Sequence, residues 1–438
     1  MTYLLLFGFI IANIITIIFL FKKGYKLKTL YKMMIAGIIE CKVIFIIILL
    51  MGATISVWLS SGIVPGLIYY GFDYLKGINF VLAAFLSTMI ISFIMGTAVG
   101  TLSTIGIAFL GIGTGLNIPA PILLGAIVSG SFIADKVAPI SSLTNLTIQM
   151  TGTKYRDYLK SSLFTLIPTV LLSSFVYIFI GMKYSCSIDT NVIMQYQSTI
   201  YEAFVITPYF MLFPILFVIL AFTGFNIVYN MSIGVTIASV LTIFVQKISF
   251  SNLIKAILWG FNAQTGVSSL DELVSGGGVI PLIEVLFIVL GSVTLSSLFQ
   301  GTQLLKPMIK ALYKESDGKL SLIAKTGLLS ILFVTITFDQ TVGIIIPANI
   351  ASCRFDRLGL KRSLLARTIS DTGTIIAPLQ PWNVNSIIIY GVTGISALSY
   401  APYAALCYIS PIIALISGMI SFNKLEINKK QKNLELEA

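Results

Sequence analysis

Residues 77–134 read GINFVLAAFLSTMIISFIMGTAVGTLSTIGIAFLGIGTGLNIPAPILLGAIVSGSFIA and contain no charged side chain. A helix crosses the hydrocarbon core of a bilayer with about 20 apolar residues, so this run is long enough for more than one crossing. It is apolar on every face, whereas barrel strands alternate apolar and polar residues in units of about ten. The stretch therefore predicts membrane-spanning α-helices.

Further uncharged runs extend this prediction along the chain. They cover residues 3–21, 43–72, 161–182, 203–246, 285–305 and 372–423. Hydrophobic residues make up 57% of the 438 residues and charged residues only 10%, which is more apolar surface than one soluble core can bury. We therefore predict an all-α, polytopic transmembrane helical bundle with about 10–12 membrane segments.

Clusters of lysine and arginine predict the orientation of the chain. Lysines at 22–32 follow the first apolar run, whereas a secretory signal peptide carries its positive charge before that run. The positive-inside rule places this loop in the cytoplasm and the N-terminus outside, and it also assigns 306–325, 354–367 and 424–432 to the cytoplasm. The net charge of +11 is scattered among apolar spans, which indicates contact with membrane lipid and not with nucleic acid. We expect a multi-pass protein of the plasma (inner) membrane.

The residue types also narrow the chemistry. The chain has no histidine, and its four cysteines form no CxxC pair, so we expect no cofactor and no metal beyond a transported ion. Without histidine the usual nucleophile–histidine arrangements are missing, so we do not predict an enzyme. Because histidine is absent, the group that takes up a proton near neutral pH would be a carboxylate or a lysine.

Two halves of the chain share a motif on either side of the polar stretch 247–284. Asp135 is followed by Ala138-Pro139 and Asn145, and Asp371 is followed by Ala377-Pro378 and Asn383. Helices broken at corresponding places in two halves are the usual construction of a transport site near the membrane midplane. The predicted regions are an N-terminal helix with a basic cytoplasmic loop (1–42), a first repeat (43–246), a connector (247–284), a second repeat (285–423) and a charged tail (424–438).

Charged residues within apolar sequence are the first candidates for a site. A charge at the bilayer centre costs about 2.5–3.5 kcal/mol even on the mildest scale, so Asp135 and Lys136 are expected to pair or to serve an ion path. The alternatives are a structural ion pair or a loop near the interface.

Asp339 lies within apolar sequence, and a proton and a cation would compete for its carboxylate. The alternative for Asp339 is a span end, with pairing to Arg354 or Arg357.

Neutral oxygen donors accompany these acids. Ser141, Ser142, Thr144 and Asn145 could complete a shell for Na⁺ or a small polar solute together with unwound backbone carbonyls. Small polar residues that pack helices together are the alternative. In the second half, Asp371 either caps a helix or joins the site. The candidates there also include Thr374 and Asn383.

These motifs resemble the NhaC-type Na⁺/H⁺ antiporter family over roughly residues 42–418. The matching segments are 96–106 (GTAVGTLSTIG), 125–130 (GAIVSG), 134–146 (ADKVAPISSLTNL), 339–340 (DQ), 367–374 (RTISDTGT) and 377–383 (APLQPWN). The resemblance implies two inverted halves with re-entrant hairpins and exchange driven by sodium or proton gradients. Members of this group also move organic acids and amino acids.

One departure from the family pattern leaves two functions open. Family members commonly show Ser-Asp-Thr-Thr-Asn, whereas residues 141–145 here read SSLTN and lack the acid. Either Asp135, Asp339 and Asp371 suffice for cation/proton exchange, or the loss marks a member that moves an organic solute.

The leading hypothesis is exchange of cytoplasmic Na⁺ for external H⁺ by alternating access. Asp339 would be the main shared carboxylate, and the neutral ligands would be Ser141, Thr144, Asn145 and Asn383. The alternative is a Na⁺- or H⁺-coupled exchanger of a small organic acid or amino acid, malate/lactate-like or amino-acid-specific, with Lys136 binding a substrate carboxylate. A homodimer is an assembly that the sequence allows.

Overall fold

The structure is a computed structural model that describes residues 2–74, 79–185, 190–213, 227–302 and 318–418, together with positions 215, 216, 219 and 304. Within these residues it is built from helices, and its only β-interaction is an isolated bridge between Phe261 and Gly276. The predicted all-α class is confirmed. The predicted tail 424–438 and most of the basic cluster 306–325 lie outside the described residues.

The helices are numbered here in chain order. Those before residue 204 are α1 (Thr2–Lys22), α2 (Leu27–Glu40), α3 (Lys42–Ser60), α4 (Ile63–Tyr74), α5 (Phe80–Met95), α6 (Ala98–Thr101), α7 (Ile107–Gly115), α8 (Ala120–Ser131), α9 (Ile133–Val137), α10 (Ser142–Thr151), α11 (Tyr155–Ser185) and α12 (Thr190–Ala203). The later ones are α13 (Ile227–Phe244), α14 (Phe250–Trp259), α15 (Ser268–Leu273), α16 (Val279–Gly301), α17 (Lys319–Thr337), α18 (Gln340–Arg357), α19 (Arg362–Ile369), α20 (Val384–Thr393), α21 (Ala397–Tyr400) and α22 (Ala405–Gly418).

Short π- and 3₁₀-helical segments interrupt this series. The π-helical segments are Leu102–Gly106 and Ser370–Thr374, and the 3₁₀ segments are Pro208–Met211, Ala377–Leu379 and Ala401–Tyr403. π-Helical turns are rare and often lie at functional sites, where they change the direction in which side chains point.

Seven described helical segments are long and apolar enough to cross a membrane. They are 3–22, 42–60, 98–115, 120–137, 155–184, 279–301 and 319–337. The pair α20 and Ala397–Tyr403 is bent by 92° and counts as an eighth if it forms one span. The protein is therefore a multi-pass membrane protein. The predicted number of about 10–12 segments requires that shorter apolar helices such as α5 and α13 also enter the bilayer.

The helices of the two halves recur with a constant spacing of 242 residues. Three positions with left-handed backbone show this spacing: Gly96 and Phe338, Asn117 and Gly359, and Gly152 and Gly394. The helix boundaries follow it too, because Ala98–Gly115 corresponds to α18 and α10 corresponds to α20, each with the same length. We call residues 96–152 and 338–394 the two repeated segments.

This spacing gives a register that differs from the one predicted from the motifs. The sequence aligned Asn145 with Asn383, but Asn383 is the residue before α20, and the residue before α10 is Ser141. Asp371 likewise corresponds to Ser129, not to Asp135. The motif register is wrong because the Ala-Pro pairs lie at different distances from the helices that follow them.

Packing of the bundle separates a buried interior from a lipid-facing surface. In the interior α5 packs on α8 so closely that a Cβ on Gly130 would lie 2.4 Å from Phe85 O, which is the close approach that small residues permit in membrane bundles. Large apolar side chains of α1 and α11 point outward instead, among them Phe7, Phe175 and Phe179. Both helices are among those long and apolar enough to cross a membrane.

Candidate ion-binding site

A cavity of about 760 Å³ lies where the interrupted helices of both repeated segments meet. Its polar lining comprises Thr97, Thr104, Asp135, Ser142, Asn145, Asn230, Asp339, Gln340, Thr341 and Asn385. Apolar residues from α3, α5, α6, α10, α13 and α20, together with Pro139 and Ile140, complete the wall. The sequence-predicted residues Asp135, Ser142, Asn145 and Asp339 are therefore brought together in one cavity.

Asp135 reaches the cavity from the last turn of α9, just before the chain unwinds at Ala138. Its side chain is buried, and its carboxylate interacts with the backbone N–H of Ala98 and the hydroxyl of Ser141. Thr144 Oγ1 donates a hydrogen bond to the Asp135 carbonyl over 3.2 Å. Ser141 also caps α10 by accepting from the Thr144 N–H. Ser141 and Thr144 thus hold Asp135 in place from behind the cavity wall.

Asp339 reaches the cavity from the other repeated segment, at the beginning of α18. The preceding Phe338 has a left-handed φ of 63°, which turns the chain after α17, and its ring packs edge-on against Phe9. Asp339 Oδ1 accepts hydrogen bonds from the Thr341 N–H and hydroxyl, each over 3.2 Å, so the carboxylate also caps the helix.

The alternative partners predicted for Asp339 lie elsewhere. Arg354 and Arg357 belong to the last turn of α18. At about 1.5 Å of rise per residue, this places Arg354 roughly 22 Å from the beginning of the helix. Asp339 is thus an acid at a helix start, facing a cavity rather than an arginine.

Thr374 and Asn383, also predicted for the site, support the residues that line it. Gln340 Nε2 donates to Thr374 O over 2.6 Å, and Asn385 Nδ2 donates to Gln340 Oε1 and Asn383 Oδ1, each over 3.0 Å. Asn383 also caps α20 by accepting from the Asn385 N–H. Neither Thr374 nor Asn383 is among the described residues that line the cavity, and both lie one layer behind Gln340 and Asn385.

Lys136 and Asp371 form a separate, fully buried ion pair. Lys136 Nζ lies 2.8 Å from Asp371 Oδ1, with both side chains at 0% exposure, and it donates to Ser410 Oγ over 3.0 Å. Arg367 Nε lies 4.0 Å from Asp371 Oδ2. Neither member of the pair is among the described cavity residues, so Lys136 is placed to bind the second half and not a solute in the cavity.

The lining of the cavity favours a cation. Two carboxylates face it, accompanied by hydroxyl and amide groups, and no lysine or arginine occurs among its described lining residues. Oxygen ligands of this kind suit hard cations, and an intramembrane carboxylate is stabilised by a bound cation or a proton.

Comparison with known proteins places the chain in a family. The sequence model of the Na⁺/H⁺ antiporter family matches residues 132–422, a segment that contains Asp135 and Asp339. The chain belongs to the Na⁺/H⁺ antiporter family.

Similar members of this group have several stated activities. The chain is 29% identical to the Na⁺/H⁺ antiporter NhaC of Alkalihalophilus pseudofirmus, with 88% of this chain and 84% of that protein covered. It is 27% identical to the malate-2H⁺/Na⁺-lactate antiporter of Bacillus subtilis, with 90% and 85% covered. It is 28% identical to the arginine/ornithine antiporter ArcD of Halobacterium salinarum, with 86% and 77% covered.

Several cavity residues of this family member were not predicted as site residues from its sequence. They are Thr97, Thr104, Asn230, Gln340, Thr341 and Asn385. Thr97 follows Gly96 at a helix break and corresponds to Asp339 at the spacing of 242 residues. Glycine often marks a break in a helix, so Gly96 is the sequence signal that could have identified Thr97. The one feature of the sequence that could have pointed to Asn230 is its polar amide side chain within the uncharged run 203–246.

Proposed function

We propose that the protein is a Na⁺/H⁺ antiporter of the plasma membrane that exchanges cytoplasmic Na⁺ for external H⁺ by alternating access. The observation that carries this proposal is that each repeated segment contributes one carboxylate, Asp135 or Asp339, to the same cavity. The family match is consistent with this activity.

Competition at the two carboxylates supplies the exchange chemistry. A carboxylate must be deprotonated to bind Na⁺ through both charge and lone pairs, so a proton and Na⁺ exclude each other at the same group. If the cavity opens to one side at a time, each passage therefore carries either cation or proton. The interrupted helices around Asp135 and Asp339 provide the backbone at which such opening can occur.

The other predicted site residues divide into three roles in this proposal. Ser142 and Asn145 act as neutral ligands beside the acids, because their side chains line the cavity. Ser141, Thr144, Thr374 and Asn383 position the cavity residues, and Lys136 with Asp371 joins the two halves. The regions 43–246 and 285–423 would be the two transport repeats, inverted relative to each other, and the apolar faces of α1 and α11 would contact lipid.

Proton movement in proteoliposomes tests the proposal. The purified protein is reconstituted with a pH-sensitive dye, and Na⁺, Li⁺ or K⁺ is added. We expect a response to Na⁺ or Li⁺ in the wild type and none in Asp135→Asn or Asp339→Asn. Asp356→Asn is the control acid, because Asp356 is exposed and paired with Arg362 over 2.6 Å, and it should behave like the wild type. Active Asp339→Asn vesicles would remove Asp339 from the mechanism.

A second candidate function is exchange of a small organic solute. The cavity volume of about 760 Å³ favours it, because this is the size of a small-molecule pocket and exceeds what one ion needs. Two acids without a described lysine or arginine on the wall would repel a dicarboxylate and attract a solute with a positive group. A dye response to arginine or ornithine, with silence to Na⁺, Li⁺ and K⁺, would replace the cation/proton proposal.

A further inference from the structure

One polar residue that lines the cavity, Asn230, comes from outside both repeated segments. It lies near the beginning of α13, which packs along α3 and is joined to it by a contact of 3.2 Å between Ser60 Oγ and Thr242 Oγ1. This packing brings Asn230 and Met231 to the cavity wall.

The side chain of Asn230 is buried and incompletely satisfied. Its exposure is 8%, and its Oδ1 atom has no hydrogen-bond partner among the described residues. Buried amide oxygens in proteins are nearly always bonded, so an unbonded one on a cavity wall indicates a ligand that completes it. An amide oxygen is also a hard, neutral ligand of the type that binds Na⁺ in oxygen shells.

We infer that Asn230 Oδ1 is a ligand of the transported cation in the cavity that Asp135 and Asp339 share. This inference rests on the proposed function and adds a residue to its binding site. Asn385, which lines the same cavity, resembles Asn230 in this respect, because its two side-chain hydrogen bonds both use Nδ2 and neither uses its carbonyl oxygen.

A neutral ligand contributes differently from a carboxylate. It binds Na⁺ but accepts no proton in the relevant pH range, so it raises affinity for the metal ion without raising affinity for its competitor. Loss of the Asn230 oxygen should therefore weaken Na⁺ binding and leave the proton steps in place. This separates a ligand from a residue that only packs α13 against its neighbours.

The structure offers a matched control at Asn13. This residue of α1 is also 8% exposed and also has a buried Oδ1 without a partner among the described residues. Its Nδ2 donates to Phe9 O and Gly291 O, and it is not among the described residues of the cavity. Asn13→Leu thus removes the same kind of buried amide from a place outside this cavity.

The experiment measures Na⁺ binding and transport separately. Thermal unfolding of the purified wild type, Asn230→Leu, Asn230→Asp and Asn13→Leu is followed in NaCl, LiCl or choline chloride, because a cation that binds the folded protein stabilises it. We expect Na⁺ to stabilise the wild type, Asn13→Leu and Asn230→Asp, which keeps an oxygen ligand. In Asn230→Leu the apparent Kd for Na⁺ should rise about tenfold, equivalent to about 1.4 kcal/mol of binding free energy.

Transport gives the second readout. In proteoliposomes the KM for Na⁺ of Asn230→Leu should rise by a similar factor while its kcat stays near the wild-type value. Equal Na⁺ affinity in Asn230→Leu and the wild type would overturn the inference, as would an equal loss in Asn13→Leu, or a wild type that no cation stabilises. If Na⁺ stabilises the wild type and not Asn230→Leu but drives no proton movement, the ligand stands and the proposed exchange fails.

Discussion

Lys136 Nζ and Asp371 Oδ1 lie 2.8 Å apart in the fully buried interior, and this contact joins the first repeated segment to the second. The surrounding groups reinforce it. Ser410 accepts from Lys136 and donates to the Asp371 carbonyl. The Tyr158 hydroxyl donates to the Lys136 carbonyl and lies 2.9 Å from Ser370 Oγ, from which it can accept. The acidic residue beside Lys136 faces the cavity, so the same short helix carries the candidate ion-binding group and the group that fastens the two halves.

The ion pair predicts a characteristic pattern of stability. Lys136→Met or Asp371→Leu alone leaves a buried charge unpaired and should lower the free energy of unfolding by about 3–5 kcal/mol. The loss of Asp371 should be the more damaging change, because Arg367, 4.0 Å from it, is then also deprived of its acid. The double variant should recover the part of the loss that comes from the unpaired Lys136, while Arg367 remains without its acid. Thermal unfolding in detergent, followed by size-exclusion chromatography, measures all three; single variants as stable as the wild type would contradict the pattern.

Asp339 is predicted to have two separable roles, as a charge in the cavity and as the cap of α18. Asparagine caps helices about as well as aspartate, whereas alanine loses about 1 kcal/mol. Asp339→Asn should thus abolish exchange with little change in melting temperature, and Asp339→Ala should lower both. The two variants are compared by thermal unfolding and by the dye assay. If Asp339→Asn unfolds as early as Asp339→Ala, the Thr341 hydrogen bonds need the negative charge.

Gly96 should be far less replaceable than Gly152, although both have left-handed backbone at the end of a helix. Alanine in this conformation costs about 1–2 kcal/mol at either position. A Cβ on Gly96 would also lie 2.3 Å from Ile140 Cγ1 on the cavity wall, whereas one on Gly152 meets nothing within 4 Å. Gly96→Ala should therefore lower both the stability and the exchange rate. Gly152→Ala should lower the stability alone. Equal exchange rates would show that Ile140 moves without affecting the cavity.

Close packing of α5 and α8 predicts intolerance at Gly130. A Cβ there would lie 2.4 Å from Phe85 O and 2.9 Å from Met89 N, which are backbone atoms that move only if the helices separate. We expect Gly130→Ala to cost about 1–3 kcal/mol, as overpacked cores do. Gly8→Ala is the control, because its Cβ meets nothing within 4 Å. The yield of monodisperse protein and the melting temperature measure the difference. If both are unchanged in Gly130→Ala, the two helices can separate without loss of stability, and the prediction is wrong.

Membrane helices and the breaks between them could be predicted from the sequence because hydropathy, proline and glycine act locally. The uncharged run 77–134 predicts membrane helices, and Ala138-Pro139 predicts the break beside Asp135. The acids Asp135 and Asp339 were identified because a charge within apolar sequence is costly wherever the chain leads.

Side-chain direction and partners from distant segments could not be predicted in the same way. Asp135 and Lys136 are adjacent, but successive helical residues point about 100° apart, so one faces the cavity and the other faces Asp371. The sequence alone predicts both residues for one site. Asn230 enters the cavity through the packing of α13 on α3, a contact that no local pattern records.

The constant spacing of 242 residues means that neither repeated segment has gained or lost a residue relative to the other between its first and last left-handed turn. Their functional groups differ: Thr97 stands where the second segment has Asp339, and Ala377 stands where the first has Asp135. The two segments thus share a backbone plan and a length, but each supplies its acid from a different place, one at a helix end and one at a helix start. The backbone of the cavity is symmetric in the chain, and its charge is not.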